Sequence, residues 1–372
     1  MIPDSSCSEA KIRYFVGLMS GTSLDGVDAA LVDFSTAEPR LIATHYLPYP
    51  QELTIRLLDL QCSGENELHR AAQLGNDLAR LYHESVDALL RKSGMSNRAI
   101  AAIGCHGQTV RHNPQAGYTL QIGNPFLLAE LSGIDVVADF RGGDVSAGGQ
   151  GAPLVPAFHD AAFRISDKHR LILNIGGIAN LTDLRPEKAT SGFDCGPGNM
   201  LLDAWIRKHR GQPYDNDGVW ATSGRLIPDL LQTLLAHPYF ELDPPKSCGR
   251  EEFNLAWLAP LAVRFPAEDV QATLLALSVE SCSLAIERWC GHPDEVVICG
   301  GGANNSALMR GLRERLGLAR VVKSDRIGIG ADWVEAVAFA WLARQRLLGR
   351  PGNLPEVTGA RRLRQLGAIY PA

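Results

Sequence analysis

The sequence lacks two common phosphate-binding signatures. No G-x-x-x-x-G-K-S/T motif occurs, and no glycine is followed by lysine anywhere in the 372 residues, so a P-loop ATPase is excluded. The H-R-D and D-F-G motifs are also missing, which argues against a protein kinase. A nucleotide site in this chain must therefore be built from separate turns.

Long runs of one kind of side chain are missing too. No basic run accompanies the net charge of −5, which argues against nucleic acid as the main ligand. No apolar run is long enough to cross a bilayer, and Met1–Arg13 lacks the apolar region of a signal peptide. We therefore expect a cytoplasmic protein that acts on a small molecule.

The eight cysteines form no C-x-x-C pair and have no nearby histidine at zinc-ligand spacing. We expect reduced thiols, most of them buried. Cys195 lies in a glycine-rich turn, but no neighbour supplies a base, so we do not interpret it as a nucleophile.

The length exceeds what one hydrophobic core usually supports, which favours two domains with an active site in the cleft between them. We place the first domain at residues 1–145 plus 350–372 and the second at 146–349. The segment 142–156 is too rich in glycine and proline for regular structure. It is either the crossing between the domains or a mobile ligand loop.

Gly17–Asp28 has the pattern of strand, glycine turn and strand. An apolar run, Tyr14–Met19, enters the turn, and a second run, Ala29–Phe34, leaves it. Gly21 and Gly26 allow backbone N–H groups to approach a phosphate. On residue chemistry alone, an ordinary hairpin turn is the more frequent explanation.

The same turn carries polar side chains. Ser20, Thr22 and Ser23 offer hydroxyl groups, and Asp25 and Asp28 could hold Mg²⁺ directly or through water. The composition therefore suits a magnesium-phosphate group but does not require one.

Two further glycine turns follow apolar strands. One contains Gly176, Gly177 and Asn180 and resembles the first hairpin in plan, which indicates a duplicated architecture in which each domain contributes one turn. The other is Gly300–Gly302, where bare backbone would let a ribose or a planar ring lie close. A tight turn without a ligand explains this last stretch equally well.

Polar residues follow two short buried strands, Ile100–Gly104 and Ile134–Ala138. Ligands of open α/β sheets bind at the carboxyl ends of strands, although a polar residue there is as often a cap or turn former. The candidates on this reasoning are His106, Gln108, Asp139 and Arg141.

Asp194 lies in the polar turn Gly192–Asn199, ahead of a predicted helix, Met200–Arg207. A fixed carboxylate at this position could work as a general base, and Asn199 could cap the helix. Capping or turn formation by Asp194 itself remains the alternative.

Several ordered motifs closely resemble the anhydro-N-acetylmuramic acid kinase family. They run from about Tyr14 to the C-terminus and are, beside Gly17–Asp28, the segments Gly104–Thr109, Gly148–Phe158, Leu173–Leu181, Phe193–Trp205, Pro245–Asn254 and Pro351–Gly359. The family belongs to the superfamily of actin, sugar kinases and heat-shock ATPases. The resemblance implies an α/β chain of two ribonuclease-H-like domains, the actin-like ATPase fold, with an interdomain active-site cleft that closes on ATP.

The resemblance also implies roles for individual residues. The phosphate-binding loop falls on Gly21, Thr22, Ser23, Leu24, Asp25, Gly26, Val27 and Asp28. The second phosphate loop falls on Gly176, Gly177 and Asn180, and the adenosine turn on Gly300, Gly301 and Gly302. The catalytic aspartate is Asp194, and the expected substrate contacts are Arg141 and Glu335, with His106 and Gln108 beside them. Asp25 and Asp28 are expected to hold Mg²⁺ through water.

The reaction that the resemblance implies joins two steps on 1,6-anhydro-N-acetylmuramic acid. Water opens the anhydro bridge, and the released O6 takes the γ-phosphoryl group of ATP, giving N-acetylmuramic acid 6-phosphate and ADP in peptidoglycan recycling. The family also suggests a homodimer.

This sequence departs from the family pattern in two places. Gly142 and Gly143 stand where family members have arginines, and Cys248 replaces a threonine. These departures affect the expected charge near Arg141 and leave the reaction class unchanged. Two alternatives remain open at this point: an ATP-independent glycoside hydrolase that uses Asp194, and a noncatalytic nucleotide-dependent binding module.

Overall fold

Two α/β units make up the chain. The computed structural model describes residues 13–21, 23–36, 38–317 and 319–372. Unit 1 runs to Ala162 and resumes with Trp333–Ala372, and unit 2 is Phe163–Asp332.

The described strands are, in chain order, β1 (Tyr14–Met19), β2 (Gly26–Asp33), β3 (Arg40–Pro48), β4 (Ile100–Cys105), β5 (Gln108–Asn113), β6 (Tyr118–Ile122), β7 (Val136–Ala138), β8 (Arg170–Ile175), β9 (Ile178–Leu184), β10 (Ser191–Pro197), β11 (Glu295–Cys299), β12 (Arg320–Lys323) and β13 (Ala368–Tyr370). The described α-helices are α1 (Gln51–Leu60), α2 (Glu67–Ser93), α3 (Pro125–Ser132), α4 (Phe140–Ser146), α5 (Val155–Phe163), α6 (Met200–Arg210), α7 (Val219–Ser223), α8 (Pro228–Leu235), α9 (Leu255–Ala262), α10 (Ala267–Ala285), α11 (Ser306–Leu316), α12 (Val334–Leu347) and α13 (Pro355–Thr358).

The main sheets of the two units share one strand order. The order is β13-β7-β4-β1-β2-β3 in unit 1 and β10-β9-β8-β11-β12 in unit 2. In each unit the first strand pairs antiparallel with the second and parallel with the fourth, so β1 lies between β2 and β4, and β8 lies between β9 and β11. This is the ribonuclease-H-like arrangement, which confirms the predicted fold of two such domains.

The long helix α2 covers the core of unit 1. It buries a stripe of apolar side chains at helical spacing, namely Leu74, Leu78, Tyr82, Val86 and Leu89. The helix ends before Gly94, whose φ of 68° lies in the left-handed region that favours glycine. The apolar spacing in Leu68–Lys92 and the glycine at position 94 predict this helix within one residue of its observed bounds at either end, because both signals are local.

The helix α10 is the core helix of unit 2. Together with the π turn that follows it, Ala267–Cys290 is long and apolar enough to cross a membrane by length and composition alone. However, 67% of the most apolar window is buried inside the protein, where Leu274 and Leu277 pack in one hydrophobic cluster and Cys282 in another. A mostly buried core helix passes the same test, so this helix is weak evidence of a membrane span.

The prediction of an irregular segment at 142–156 is wrong at both ends. Residues up to Ser146 belong to α4, and α5 begins at Val155. The helix α4 forms despite its two glycines because the side chain of Asp139 accepts a hydrogen bond from the Gly142 N–H at 3.2 Å and caps the first turn. Asp139 therefore has a structural role at the strand end, which is the alternative that the sequence left open.

The predicted domain boundaries also differ from those observed, because α12 belongs to unit 1. A Cβ atom placed on Gly17 of β1 would lie 1.8 Å from the Ala336 carbonyl oxygen, and one on Gly104 of β4 would lie 2.0 Å from that of Phe339. The helix backbone thus rests directly on two strands of the sheet. Apolar periodicity marks α12 as a helix but does not show which sheet it covers.

We expect Gly17→Ala to destabilise unit 1, because the added methyl group forces α12 away from the sheet. The loss in the free energy of unfolding should be about 3 kcal/mol, the upper part of the usual range for overpacking. The measurement is urea unfolding followed by tryptophan fluorescence, since Trp341 lies on α12.

Gly75→Ala is the matched control for this substitution. Gly75 also lies in unit 1, but its added Cβ would meet its nearest neighbour, the Gly123 nitrogen, at an ordinary 3.5 Å. Equal unfolding midpoints for the two variants would contradict the proposed close contact.

Candidate active site

The first predicted phosphate loop is the turn between β1 and β2. The antiparallel register pairs Met19 with Asp28, so the turn proper lies between Ser20 and Asp25, as predicted. Leu24 adopts a φ of 58° and is buried, which fixes the turn against the core. Thr22, one of the predicted ligands, lies outside the described residues.

Hydrogen bonds to carbonyl oxygens hold this loop in place. The Gly21 oxygen accepts from Gln108 Nε2 at 3.0 Å, and the Asp25 oxygen accepts from the Tyr49 N–H and the Tyr46 hydroxyl, both at 2.9 Å. The protein itself therefore anchors the loop at Gly21 and at Asp25.

Asp25 and Asp28 suit Mg²⁺ as carboxylates that act through water. Asp25 is exposed and accepts a hydrogen bond from the Ser23 hydroxyl at 2.6 Å, while Asp28 lies on β2. Among the described residues, no group of three or more His, Cys, Asp or Glu side chains is arranged to hold a metal alone. A sparse donor set of this kind fits Mg²⁺, which usually keeps several waters and binds phosphate oxygens.

Gln108 has a different role from the predicted substrate contact. It is fully buried, and while its Nε2 bonds Gly21, its Oε1 accepts from the Tyr49 hydroxyl at 3.4 Å. Both ends of the amide are used inside the protein, which supports a role in holding the loop.

His106 follows β4 and is buried beneath the same loop. Its Nδ1 lies 3.0 Å from the Ser20 oxygen, and its Nε2 accepts a hydrogen bond from Arg141 Nε at 3.1 Å. Burial, together with the positive charge of Arg141, lowers the pKa of His106 to about 3. The imidazole is therefore neutral at physiological pH.

Arg141 is a half-buried cation at the start of α4. Besides His106, its guanidinium donates to the Gly151 oxygen at 2.8 Å. Burial lowers the pKa of Arg141, and the nearby carboxylates of Glu335 and Asp144 oppose this effect. Burial likewise raises the pKa of Glu335, which Arg141 counteracts. Within the described chain no carboxylate forms an ion pair with this guanidinium, which leaves it suited to an anionic ligand.

In unit 2 the second hairpin turn packs against the turn that precedes α6. The Gly176 oxygen accepts from the Asn199 N–H at 2.8 Å, and the Gly177 oxygen accepts from the Gly198 N–H at 2.9 Å. A Cβ on Gly198 would lie 2.5 Å from the Gly176 oxygen, so only glycine fits. Asn180 lies beyond this turn, on β9 opposite Asp194.

The triple-glycine turn meets the same place from the end of β11. Cβ atoms on Gly300 and Gly302 would lie 2.4 and 2.5 Å from atoms of Asn174 and Ile175, so both glycines are required by packing. The nearest protein atom to a Cβ on Gly301 is Asn199 Nδ2, at 3.9 Å. Of the three glycines, Gly301 is the one with open space beside it, which suits a bound ligand.

Asn199 differs from its predicted role. Its side chain makes no cap hydrogen bond to α6, and its Nδ2 instead donates to the Ile175 oxygen at 3.3 Å. It thus bridges the hairpin turn and the glycine turn. The second hairpin turn, the triple-glycine turn and the turn that precedes α6 therefore meet at one edge of the unit 2 sheet.

Asp194 lies on β10 at a bulge in its pairing with β9. Its N–H donates to the Lys246 oxygen at 3.1 Å, and its Oδ2 accepts from the Cys248 N–H at 3.1 Å. The Tyr239 hydroxyl donates to the Asp194 carbonyl oxygen at 2.7 Å. Since Cys248 acts through its backbone N–H, the replacement of threonine by cysteine leaves this contact intact.

Burial raises the pKa of Asp194 to about 7. The Cys248 N–H acts in the opposite direction, and the charge of Glu252 raises the pKa further. A carboxyl group with a pKa near neutrality can accept and release a proton at physiological pH, as a general base must.

Sequence reasoning missed the residues that hold Asp194. Lys246 is buried, with Nζ 4.1 Å from the ring centre of Trp289 and 4.9 Å from that of Tyr239. The segment from Pro245 was visible as a motif, but nothing in the sequence connects it with Asp194. Tyr239 carries no recognisable signal at all.

Two ribonuclease-H-like units, each with a glycine turn after its first strand, define the actin-like ATPase fold class. Within that class the chain belongs to the anhydro-N-acetylmuramic acid kinase family, whose model matches residues 13–372. It is therefore an ATP-using kinase, as predicted. The ATP-independent hydrolase has no support from this assignment.

Relatives named anhydro-N-acetylmuramic acid kinase match along their whole length. The protein of Nitrosospira multiformis is 55% identical over 97% of this chain and 100% of its own. That of Nitrosomonas europaea is 56% identical over 96% of this chain and 100% of its own.

Solved structures resemble the chain more distantly. Component A of the (R)-2-hydroxyglutaryl-CoA dehydratase of Acidaminococcus fermentans has a TM-score of 0.49 and 14% identity, over 90% of this chain and 99% of that one. A ROK family glucokinase from Streptomyces griseus has a TM-score of 0.42 and 14% identity, over 89% of this chain and 99% of that one. Similarity at this level carries no functional argument.

The raised pKa of Asp194 predicts how its replacement changes stability with pH. A carboxyl with a higher pKa in the folded protein binds its proton more tightly there, so ionisation disfavours folding increasingly from about pH 4 to about pH 7. Asp194→Asn removes this penalty and should gain on the order of 2 kcal/mol of stability relative to wild type between pH 5 and pH 8.

Thermal unfolding of both proteins across this pH range measures the difference. Other titrating groups affect the two proteins alike and cancel. A stability difference that stays constant from pH 5 to pH 8 would show that the Asp194 pKa is not raised.

Proposed function

We propose that this kinase acts on 1,6-anhydro-N-acetylmuramic acid, opening the anhydro bridge with water and phosphorylating O6 with ATP. The observation that carries the proposal is Asp194, a fixed, half-buried carboxyl group on β10 with a pKa of about 7. The products are N-acetylmuramic acid 6-phosphate and ADP. This reaction serves peptidoglycan recycling, in the cytoplasm.

Asp194 works as the general base in the hydrolytic step. Its carboxylate takes a proton from water, the water oxygen bonds to C1, and the bond between C1 and O6 breaks. The freed O6 then bonds to the γ-phosphorus as ADP leaves. The phosphoryl group traps O6, so a second carboxylic acid of the kind that glycosidases use is not required.

Glycine turns hold ATP. The N–H groups in the turn between Ser20 and Asp25 and that of Gly177 contact phosphate oxygens, and Gly301 contacts the adenosine. Asp25 and Asp28 would hold Mg²⁺ through water, and the ion would neutralise phosphate charge. Phosphoryl transfer requires positioning and charge neutralisation more than covalent help. A loop that the protein anchors at Gly21 and Asp25 suits this requirement.

Arg141 recognises the lactyl carboxylate of the sugar. The support is its partial burial without an ion pair to a carboxylate in the described chain, since a cation that has lost part of its hydration is stabilised by an anionic ligand. Glu335 lies close enough to Arg141 to affect its pKa and is a second substrate contact. The working enzyme is a homodimer, which sedimentation of the purified protein tests.

The test is to incubate the protein with Mg-ATP and the anhydro sugar in ¹⁸O water and to measure the mass of the product by mass spectrometry. We expect a gain of one phosphoryl group together with ¹⁸O at C1, read before the anomeric oxygen exchanges. In Asp194→Asn turnover should fall by about 100-fold or more, the usual contribution of a general base, with ATP binding largely kept.

The other outcomes identify the competing functions. Label without phosphate supports the hydrolase, and an unchanged sugar supports the binding module. Near-normal turnover by Asp194→Asn would contradict the role of this carboxylate while leaving the overall reaction standing.

Gly301 tests the adenosine turn separately. Because no protein atom lies within 3.9 Å of an added Cβ, the series Gly301→Ala, Gly301→Val and Gly301→Trp should fold normally. The KM for ATP should rise with side-chain size, by about tenfold for valine, which corresponds to a loss of about 1.4 kcal/mol in binding. The KM for the sugar should stay constant. An unchanged KM for ATP in the tryptophan variant would place the adenosine elsewhere.

A further inference from the structure

A continuous hydrogen-bonded chain in unit 1 links the proposed sugar contact to the first phosphate loop. Arg141 donates through its guanidinium to the Gly151 oxygen at 2.8 Å and through Nε to His106 Nε2 at 3.1 Å. The opposite ring nitrogen, Nδ1, lies 3.0 Å from the carbonyl oxygen of Ser20, the residue before Gly21. One imidazole therefore separates the guanidinium from the loop.

The two neighbours determine which ring nitrogen carries the proton. Arginine Nε is always a donor, so His106 Nε2 must accept, and Nδ1 must donate to the Ser20 carbonyl. The low pKa of His106, about 3, keeps the ring in this neutral form at physiological pH. Neither contact can reverse its direction without breaking the other.

Packing prevents the ring from adjusting to one neighbour alone. The His106 N–H donates to the Leu18 oxygen of β1 at 3.0 Å, and its ring centre lies 4.8 Å from that of Phe339 on α12. The Ser20 hydroxyl is itself engaged with the Tyr82 hydroxyl at 2.8 Å. A displacement of Arg141 is therefore passed through a rigid ring to the backbone of the loop.

We propose that His106 is a positioning residue that couples sugar binding at Arg141 to ATP binding at the loop that begins with Ser20 and Gly21. An anion on Arg141 draws the guanidinium toward itself, and His106 transmits the shift to the Ser20 carbonyl. Because coupling between sites is reciprocal, bound ATP strengthens sugar binding by the same factor. This inference rests on the proposed function, which supplies the roles of Arg141 and of the loop.

Three substitutions interrupt the hydrogen bonds between Arg141, His106 and Ser20 at different points. His106→Asn places its amide where Nδ1 was and keeps the donor to Ser20 while losing Arg141. His106→Gln reaches the position of Nε2 and keeps an acceptor for Arg141 while losing Ser20. His106→Phe retains the ring against Phe339 and removes both contacts. The control is His112→Asn, which lies on the exposed hairpin of the same unit and takes no part in the hydrogen bonds between Arg141 and Ser20.

Calorimetry with the magnesium complex of a non-hydrolysable ATP analogue, without and with 1,6-anhydro-N-acetylmuramic acid, measures the coupling factor as the ratio of the two Kd values. We expect a factor of about 5 or more in the wild type and in His112→Asn, within the usual range for coupled sites. The factor should fall toward 1 in all three His106 variants. If the role of His106 were purely structural, its replacement would raise both Kd values and leave their ratio unchanged.

A ratio in His106→Asn and His106→Gln equal to that of the wild type would overturn the inference, as would a wild-type ratio of 1. If His106→Phe fails to fold, the two amide variants still decide the question. Turnover of the sugar with ATP by the wild type is measured alongside. Its absence contradicts the proposed function, whereas turnover with unchanged coupling in the variants contradicts only the role of His106.

Discussion

Both units depend on close contacts between backbone segments. Such contacts are possible only at glycine, which has no side chain. In unit 1, Gly17 and Gly104 bring α12 directly onto β1 and β4, and α12 carries Glu335 in its first turn. In unit 2, Gly198 and Gly300 bring two separate turns against the end of β8. Gly300 and Gly302 of the candidate site are therefore packing residues, and Gly301 between them leaves backbone uncovered for a ligand.

Burial has opposite effects on the two titratable groups that matter most here. It raises the pKa of Asp194 and lowers that of His106, because in both cases it disfavours the charged form. The result is useful in each case. An aspartate becomes a base that can recover its proton near neutral pH, and a histidine becomes a fixed hydrogen-bonding link that does not titrate.

The sequence predicted the features that depend on neighbouring residues. The hairpin at Gly21–Gly26, the helix α2 and the glycine turn at Gly300 all follow from local patterns, and the strand order followed from the family resemblance. Features that depend on distant contacts were missed. The use of Gln108 as a tether could not be read from composition, since it requires knowing where a side chain points. The capping of α4 by Asp139 is a local contact, and the sequence left it open as one of two alternatives. The unit boundary was misplaced for the same reason.

The location of Asp194 on an edge strand has a further consequence. On one side β10 pairs with β9, and on the other the segment from Lys246 to Cys248 supplies the contacts. The acidity of the carboxyl group is thus adjusted by an irregular segment outside the sheet. Because the Cys248 contact uses a backbone N–H, side chains in that segment can change without removing the hydrogen bond to Asp194, and the cysteine at position 248 is an example of the freedom this leaves.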